Sequence, residues 1–110
     1  MATDSWRGEF LSDWDRNDRS MVMIMLIGIQ SREIMGDIVG AMLEGDSVGS
    51  RSMVGTLEHL SKRAAGIPVD LCAGDERQQI RDSQQFLLGC LRGYYDALTF
   101  MATRRIDGEL

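Results

Sequence analysis

The fold of this chain is decided by residues 21–29, MVMIMLIGI, a stretch in which no residue carries a polar side chain. A helix that is apolar on every side has to be covered on every side, so this stretch is predicted to be buried all round. Its β-branched residues make a strand the competing interpretation. Helix is favoured because apolar residues continue at spacings of three and four, as Met35, Ile38, Val39 and Met42. We therefore predict a helix over residues 19–44.

Three further helices are predicted around this central one. Residues 5–16 are typical of a short amphipathic helix, residues 51–65 of a third helix and residues 76–103 of the longest one. All four helices have a polar residue at the start that can accept a hydrogen bond from the first turn. In chain order, the predicted N-caps are Ser5, Asn17 or Asp18, Ser50 and Asp75. The prediction is an all-α fold in one domain over residues 1–110, an elongated bundle of three main helices plus the short N-terminal one.

The composition limits the functional classes that fit. The net charge of −5 disfavours direct binding to nucleic acid, which needs a basic surface. The acidic start of the chain does not resemble a signal peptide, and the apolar run over 21–29 is much shorter than the roughly 20 residues of a membrane span. We expect a cytoplasmic protein that does not enter a membrane and whose two cysteines are free thiols.

The predicted helix lengths indicate a homodimer. At 1.5 Å per residue the two longest helices would run roughly 36–42 Å, whereas a compact domain of this size has a radius of gyration of about 13 Å. An elongated bundle leaves apolar surface uncovered, and symmetric dimerisation is the usual way to cover it. Gly36 and Gly40 are four residues apart, so another helix could approach closely at that point.

Aromatic residues near the N-terminus form one candidate interface. Trp6, Phe10 and Trp14 recur every four residues and fall on one helix face, which Leu11 widens. If this face folds back on the bundle it belongs to the core; if it does not, it offers the aromatic anchors that dominate interface energetics. The sequence leaves both interpretations open.

Methionines in the central helix form a second candidate interface. Met21, Met23 and Met25 carry flexible thioethers, which can repack against different partner surfaces. The predicted interface residues of this stretch are Met21, Met25 and Ile29. An ordinary buried core helix is the simpler interpretation.

His59, the one histidine, is a candidate phospho-acceptor, with Lys62 on the same helix face to steady a phosphate. The chain length and helical content suit a histidine phosphotransfer domain. That family has a leucine two residues and a small residue four residues after its histidine, where this chain has Ser61 and Arg63. An exposed helix histidine without a special role is the simpler interpretation.

Other catalytic and metal-binding constellations are missing from the sequence. A nucleophilic site made of Cys72, His59 and Asp70 has no support from their spacing in the sequence. Cys72 is more simply interpreted as a semi-buried loop residue, and an intermolecular disulfide is the other possibility. Cys90 is predicted to lie in the core. One histidine and no paired-cysteine motif argue against zinc, and no phosphate-binding glycine motif occurs. We predict no enzyme activity, no metal, no cofactor and no small-molecule substrate.

These observations favour a cytoplasmic protein-binding regulator of the antiactivator, inhibitor or chaperone type. It would sequester a protein partner through an apolar helical surface. The alternatives are a phosphorelay carrier using His59 and an acidic nucleic-acid mimic. The mimic needs a regular array of acids, and the sequence offers only the short cluster Asp13, Asp15 and Asp18.

Overall fold

The computed structural model describes residues 15–106, and within them the chain is all-α, as predicted. Helix α1 covers Arg16–Leu43, α2 covers Ser47–Ala65 and α3 covers Glu76–Ile106; a 3-10 turn, Val69–Leu71, lies between α2 and α3. The Cα radius of gyration is 17.0 Å and the principal extents are 52 × 36 × 15 Å. The molecule is therefore elongated, because a compact domain of this length would have a radius near 13 Å. The predicted helix over 5–16 falls outside the described residues except for its last two positions.

Helix α1 is held in place by a stripe of buried residues. They recur at spacings of three, four or seven residues, as one helix face requires, and are Ser20, Ile24, Ile27, Ser31, Ile38 and Ala41. The competing strand interpretation of residues 21–29 is wrong, because a strand would bury every second residue instead. Ser31 fits into the apolar stripe because its hydroxyl donates to the carbonyl of Gly28 at 2.9 Å, so no polar group is left unsatisfied.

The start of α1 differs from the prediction, and a contact with a distant loop is the reason. The helix begins at Arg16, not at residue 19, and Asp15 is its N-cap, accepting a hydrogen bond from the backbone N–H of Asp18. Asn17 is engaged elsewhere. Its Nδ2 donates to the carbonyl of Ala73 at 2.8 Å, and the N–H of Ala73 donates back to Oδ1 at 2.9 Å. This two-way bond fastens the start of α1 to the segment that precedes α3.

The Asn17 bond can be tested by truncation. Replacing Asn17 with alanine removes both hydrogen bonds to Ala73 and the 3.2 Å bond from Nδ2 to the Glu76 carboxylate, and we expect the free energy of unfolding to fall by about 1–3 kcal/mol. Urea unfolding followed by far-UV circular dichroism measures the loss. Arg16→Ala, at an exposed neighbouring position, is the matched control and should change stability by less than about 0.5 kcal/mol. Equal effects of the two substitutions would show that the Asn17 side-chain hydrogen bonds contribute nothing to stability.

The start of α2 also precedes the predicted position. The helix begins at Ser47, not at residue 51, and its N-cap is Asp46, not Ser50. Asp46 accepts a hydrogen bond from the N–H of Gly49 at 2.8 Å. A Cβ at Gly49 would overlap the Asp46 carboxylate, so the absence of a side chain there is what lets the cap form. Gly45, with φ of 77°, supplies the left-handed residue that ends α1.

Helices α2 and α3 bury the apolar stripes that their sequences predict. Leu57, Leu60 and Ala64 of α2 are buried, and so are Ile80, Leu87, Leu91 and Leu98 of α3. The connecting segment contributes Ile67, Val69 and Cys72 to the same core, as the apolar residues of this loop suggest. Helix α3 starts where predicted and continues to Ile106, three residues beyond the predicted end at residue 103.

Gln84 of α3 is a buried polar residue that the sequence does not mark as special. Its Nε2 donates to the carbonyl of Ala64 at 2.9 Å and lies 3.3 Å from that of Ile67. The last carbonyls of a helix have no partner within the helix. Gln84 therefore completes the end of α2 from the neighbouring helix and ties the two helices together.

Candidate protein-interaction surface

An apolar groove runs between α1 and α3 and is the main candidate site. Its volume is about 620 Å³. Met21, Met25 and Ile29 line it from α1, and Phe86, Cys90 and Tyr94 line it from α3. Ile24 and Leu87 form the floor, and Arg32, Gln79 and Asp82 are the polar residues at its edge. A concave apolar surface with a polar rim is the form that protein and ligand sites commonly take.

The apolar side chains of this groove are open to solvent to an unusual degree. Met25 is 59% exposed, Ile29 is 55% exposed and Phe86 is 76% exposed. The expectation that residues 21–29 are buried all round is thus wrong for the described part of the chain, where only Ile24 and Ile27 of this stretch are buried. The reason is geometric, because α2 and α3 pack on one side of α1 and leave its other side uncovered.

Phe86 is the member of this surface that the sequence analysis missed. It lies directly before the buried Leu87, so it is off the stripe formed by Ile80, Leu87 and Leu91. The sequence contains one signal for it, because a large aromatic residue that lies off the buried stripe of an amphipathic helix is expected to be exposed. Exposed aromatic residues at a groove are typical anchors for a protein partner.

The predicted interface residues do not all lie in the groove. Gly36 and Gly40 lie on α1 beyond it, and a Cβ built on either residue would meet nothing within 4 Å. No helix of the described chain therefore makes the close approach that their spacing allows. Trp6, Phe10, Leu11 and Trp14 lie outside the described residues.

His59 and Lys62 are both exposed on α2. Lys62 borders a second groove, between α2 and α3, together with Glu58, Arg92 and Tyr95, but His59 does not line this groove. Exposure is needed for a phospho-acceptor and is equally usual for an ordinary surface histidine. The alternative function through His59 stays a prediction.

The two cysteines have different surroundings, and both are free thiols. Cys72 is buried, and its sulfur lies 3.5 Å from the Ser20 hydroxyl, so the intermolecular disulfide considered from the sequence conflicts with its position. Cys90 is half-buried at the wall of the groove. The prediction that it lies in the core is therefore wrong. Asp70, the third residue of the hypothetical constellation, forms an ion pair with Arg81. This arrangement gives no support to a nucleophilic site at Cys72.

The remaining chemistry of residues 15–106 is sparse. Within this range no group of three or more histidine, cysteine, aspartate or glutamate side chains could hold a metal ion. None of the described helices has an apolar stretch that would let it cross a bilayer. Comparison with protein families, with curated proteins and with solved structures found no match for this chain.

Proposed function

We propose that this protein is a cytoplasmic protein-binding regulator, which sequesters a partner by holding an apolar helix in the groove between α1 and α3. The observation that carries the proposal is the exposure of Met25, Ile29 and Phe86 along one groove. Folded monomers rarely expose a contiguous apolar patch without using it for an interaction. An amphipathic helix from the partner fits such a groove with its apolar face.

The chemistry of the groove supports a protein partner over a small molecule. Methionine and phenylalanine side chains adapt to different apolar shapes, and the edge offers one cation, Arg32, and one acid, Asp82. No cluster of polar groups converges at the floor to orient a small ligand, among the residues that line this groove. By covering the partner's apolar face, the protein would block the contact that this face makes elsewhere.

A homodimer is part of the proposal. Apolar exposure on α1 extends past the groove to Leu26, Val39 and Leu43. One partner helix in the groove would not cover these residues, whereas a second copy of the chain could. Because Met25 and Ile29 also lie on the exposed side of α1, dimerisation and partner binding would compete for them.

Replacing Phe86 with aspartate tests the partner groove. Because Phe86 is 76% exposed, the substitution should leave the fold intact, with a change in unfolding free energy below about 1 kcal/mol. A charge in the centre of an apolar contact should weaken partner binding by about 100-fold, the effect of losing a hot-spot residue. Capture from the native cell extract with the tagged parent and variant, followed by quantitative mass spectrometry, gives the comparison.

The matched control is Gln85→Asp, one position away on α3 and outside this groove. A protein that the parent and the Gln85→Asp variant retain and the Phe86→Asp variant loses is the proposed partner. Identical sets of captured proteins with all three chains would contradict a partner-binding role for the groove.

A further inference from the structure

The two walls of the apolar groove are helices that run side by side in the same direction. Near the start of both helices, the Asn17 amide of α1 donates to the Glu76 carboxylate of α3 at 3.2 Å. Further along, a Cβ built on Gly28 of α1 would lie 3.8 Å from the side chain of Leu87 of α3. Both contacts join residues with the same separation in sequence, so they fix which residues of the two walls lie at the same height.

Two opposite charges stand at different heights along this groove, Asp82 on the α3 wall and Arg32 on the α1 wall. Asp82 is six residues beyond Glu76 and is therefore level with Met23 of α1. Arg32 lies further along α1 by about nine residues, or roughly 13 Å. Residues nine apart in a helix are separated by about two and a half turns, so they project from opposite sides. A helix that lies in the groove could therefore offer one such residue to each wall.

Neither charge is compensated within residues 15–106. No ion pair in this range involves Arg32 or Asp82, and both residues are exposed. The positions three and four residues away hold no acid around Arg32 and no base around Asp82. Asp82 accepts a hydrogen bond from the Gln78 amide at 2.8 Å, which leaves its negative charge in place. Both charges are therefore open to a partner.

We propose that the helix held in this groove carries a basic residue that faces Asp82 and an acidic residue that faces Arg32, about nine positions apart on the two flanks of its apolar face. The inference rests on the proposed function, because it specifies the charge pattern of the partner helix. Complementary charges across an interface contribute to specificity, and juxtaposed like charges oppose association. A helix with two acids or two bases at these positions is repelled at one wall.

The order of the two charges in the partner also sets the direction in which its helix lies. Asp82 is nearer the start of α1, so a partner whose base precedes its acid lies parallel to α1. A partner whose acid comes first lies antiparallel, because this direction again brings the base to Asp82 and the acid to Arg32. The two charges therefore select a partner and orient it, while the apolar residues of the groove supply the contact area.

Designed helical peptides test this selection. Three peptides of about 18 residues, or five turns, share one apolar face of leucine and alanine. They differ at two flanking positions nine residues apart, which hold one lysine and one glutamate, two lysines or two glutamates. Charges on the far side of each peptide are adjusted so that all three have the same net charge. Fluorescence anisotropy of each labelled peptide, titrated with the full chain, gives the dissociation constants. We expect the parent to bind the mixed peptide about fivefold to tenfold more tightly than either of the others.

Charge variants of the protein should change this preference in a defined way. Arg32→Glu should prefer the peptide with two lysines, and Asp82→Lys should prefer the peptide with two glutamates. The double variant should return to the mixed peptide, because its walls again carry opposite charges. Arg63→Glu and Asp37→Lys make the same changes of charge at exposed positions outside the groove and should keep the parent's preference. At about 1 M salt, where the screening length is about 3 Å, the preference should shrink while apolar binding persists.

The outcomes separate this inference from the proposed function. The same order of affinities in the parent and in all charge variants would overturn the charge selection and leave the groove standing. Phe86→Asp should lose all three peptides, and a variant that keeps them would show that they bind elsewhere, which would overturn the inference as well. A parent chain that binds none of the peptides would contradict the helix-binding groove itself.

Discussion

Replacing Ile27 with aspartate is expected to unfold the chain. Ile27 is 1% exposed and lies in the core among residues from all three helices. Burying an unpaired carboxylate there costs on the order of 5 kcal/mol, which is comparable with the whole stability of a small domain, about 5–15 kcal/mol. The helical signal in far-UV circular dichroism should be lost at room temperature, or the urea midpoint should fall sharply.

The same substitution two residues later is the control. Ile29 is 55% exposed, so Ile29→Asp should retain the helical signal and change the unfolding free energy of the monomer by less than about 1 kcal/mol. Its effect should fall on association instead. Unfolding of both variants would mean that the far side of α1 is covered by its own chain. A native-like Ile27→Asp chain would contradict the observed packing of α1.

Replacing Gln84 with glutamate is expected to be nearly as damaging at neutral pH. Gln84 is 7% exposed, and its Nε2 donates to the carbonyl of Ala64 at 2.9 Å. A carboxylate cannot donate, so the introduced charge faces the carbonyls that end α2. Leaving a charge buried without a partner costs about 3–5 kcal/mol.

The pH dependence distinguishes this charge effect from a simple loss of packing. Burial and the nearby carbonyl dipoles raise the pKa of the introduced carboxyl in the folded state above its unfolded value of about 4.3. The protonated form can still donate to the carbonyl of Ala64, so the variant should be nearest to the parent below about pH 4 and should lose stability as pH rises. Gln85→Glu, at the exposed neighbouring position, should follow the parent at all pH values. A destabilisation of the Gln84→Glu variant that is independent of pH would contradict this account.

The helices could be predicted from residue spacing because each buries one continuous stripe. The spacing of three and four that begins at Ile24 and continues to Ile38 has no counterpart in a strand, and the structure confirms helix. The starts of α1 and α2 could not be predicted as well, because several residues near each start are able to cap a helix. Which one does so is decided by a tertiary contact, the bond between Asn17 and Ala73, and by the lack of a side chain at Gly49.

The candidate site could be predicted only in part. Met21, Met25 and Ile29 stand out in the sequence as members of an unusually apolar stretch, and the structure places them along one groove. Sequence alone does not show that two neighbouring helices cover only one side of α1. Phe86 and the exposed apolar residues of α1 became evident only once the buried side of each helix was known, because exposure depends on how the helices pack.

The central claim is that the side of residues 21–29 which faces away from the core is left open by residues 15–106 and is covered by another polypeptide. Hydroxyl-radical footprinting of Met25 over a range of protein concentrations tests it most directly. We predict rapid oxidation of Met25 in dilute solution, and protection that rises with concentration in step with the dimer fraction. Met25 protected in a dilute monomer, or oxidised equally at every concentration while the protein dimerises, would contradict the claim.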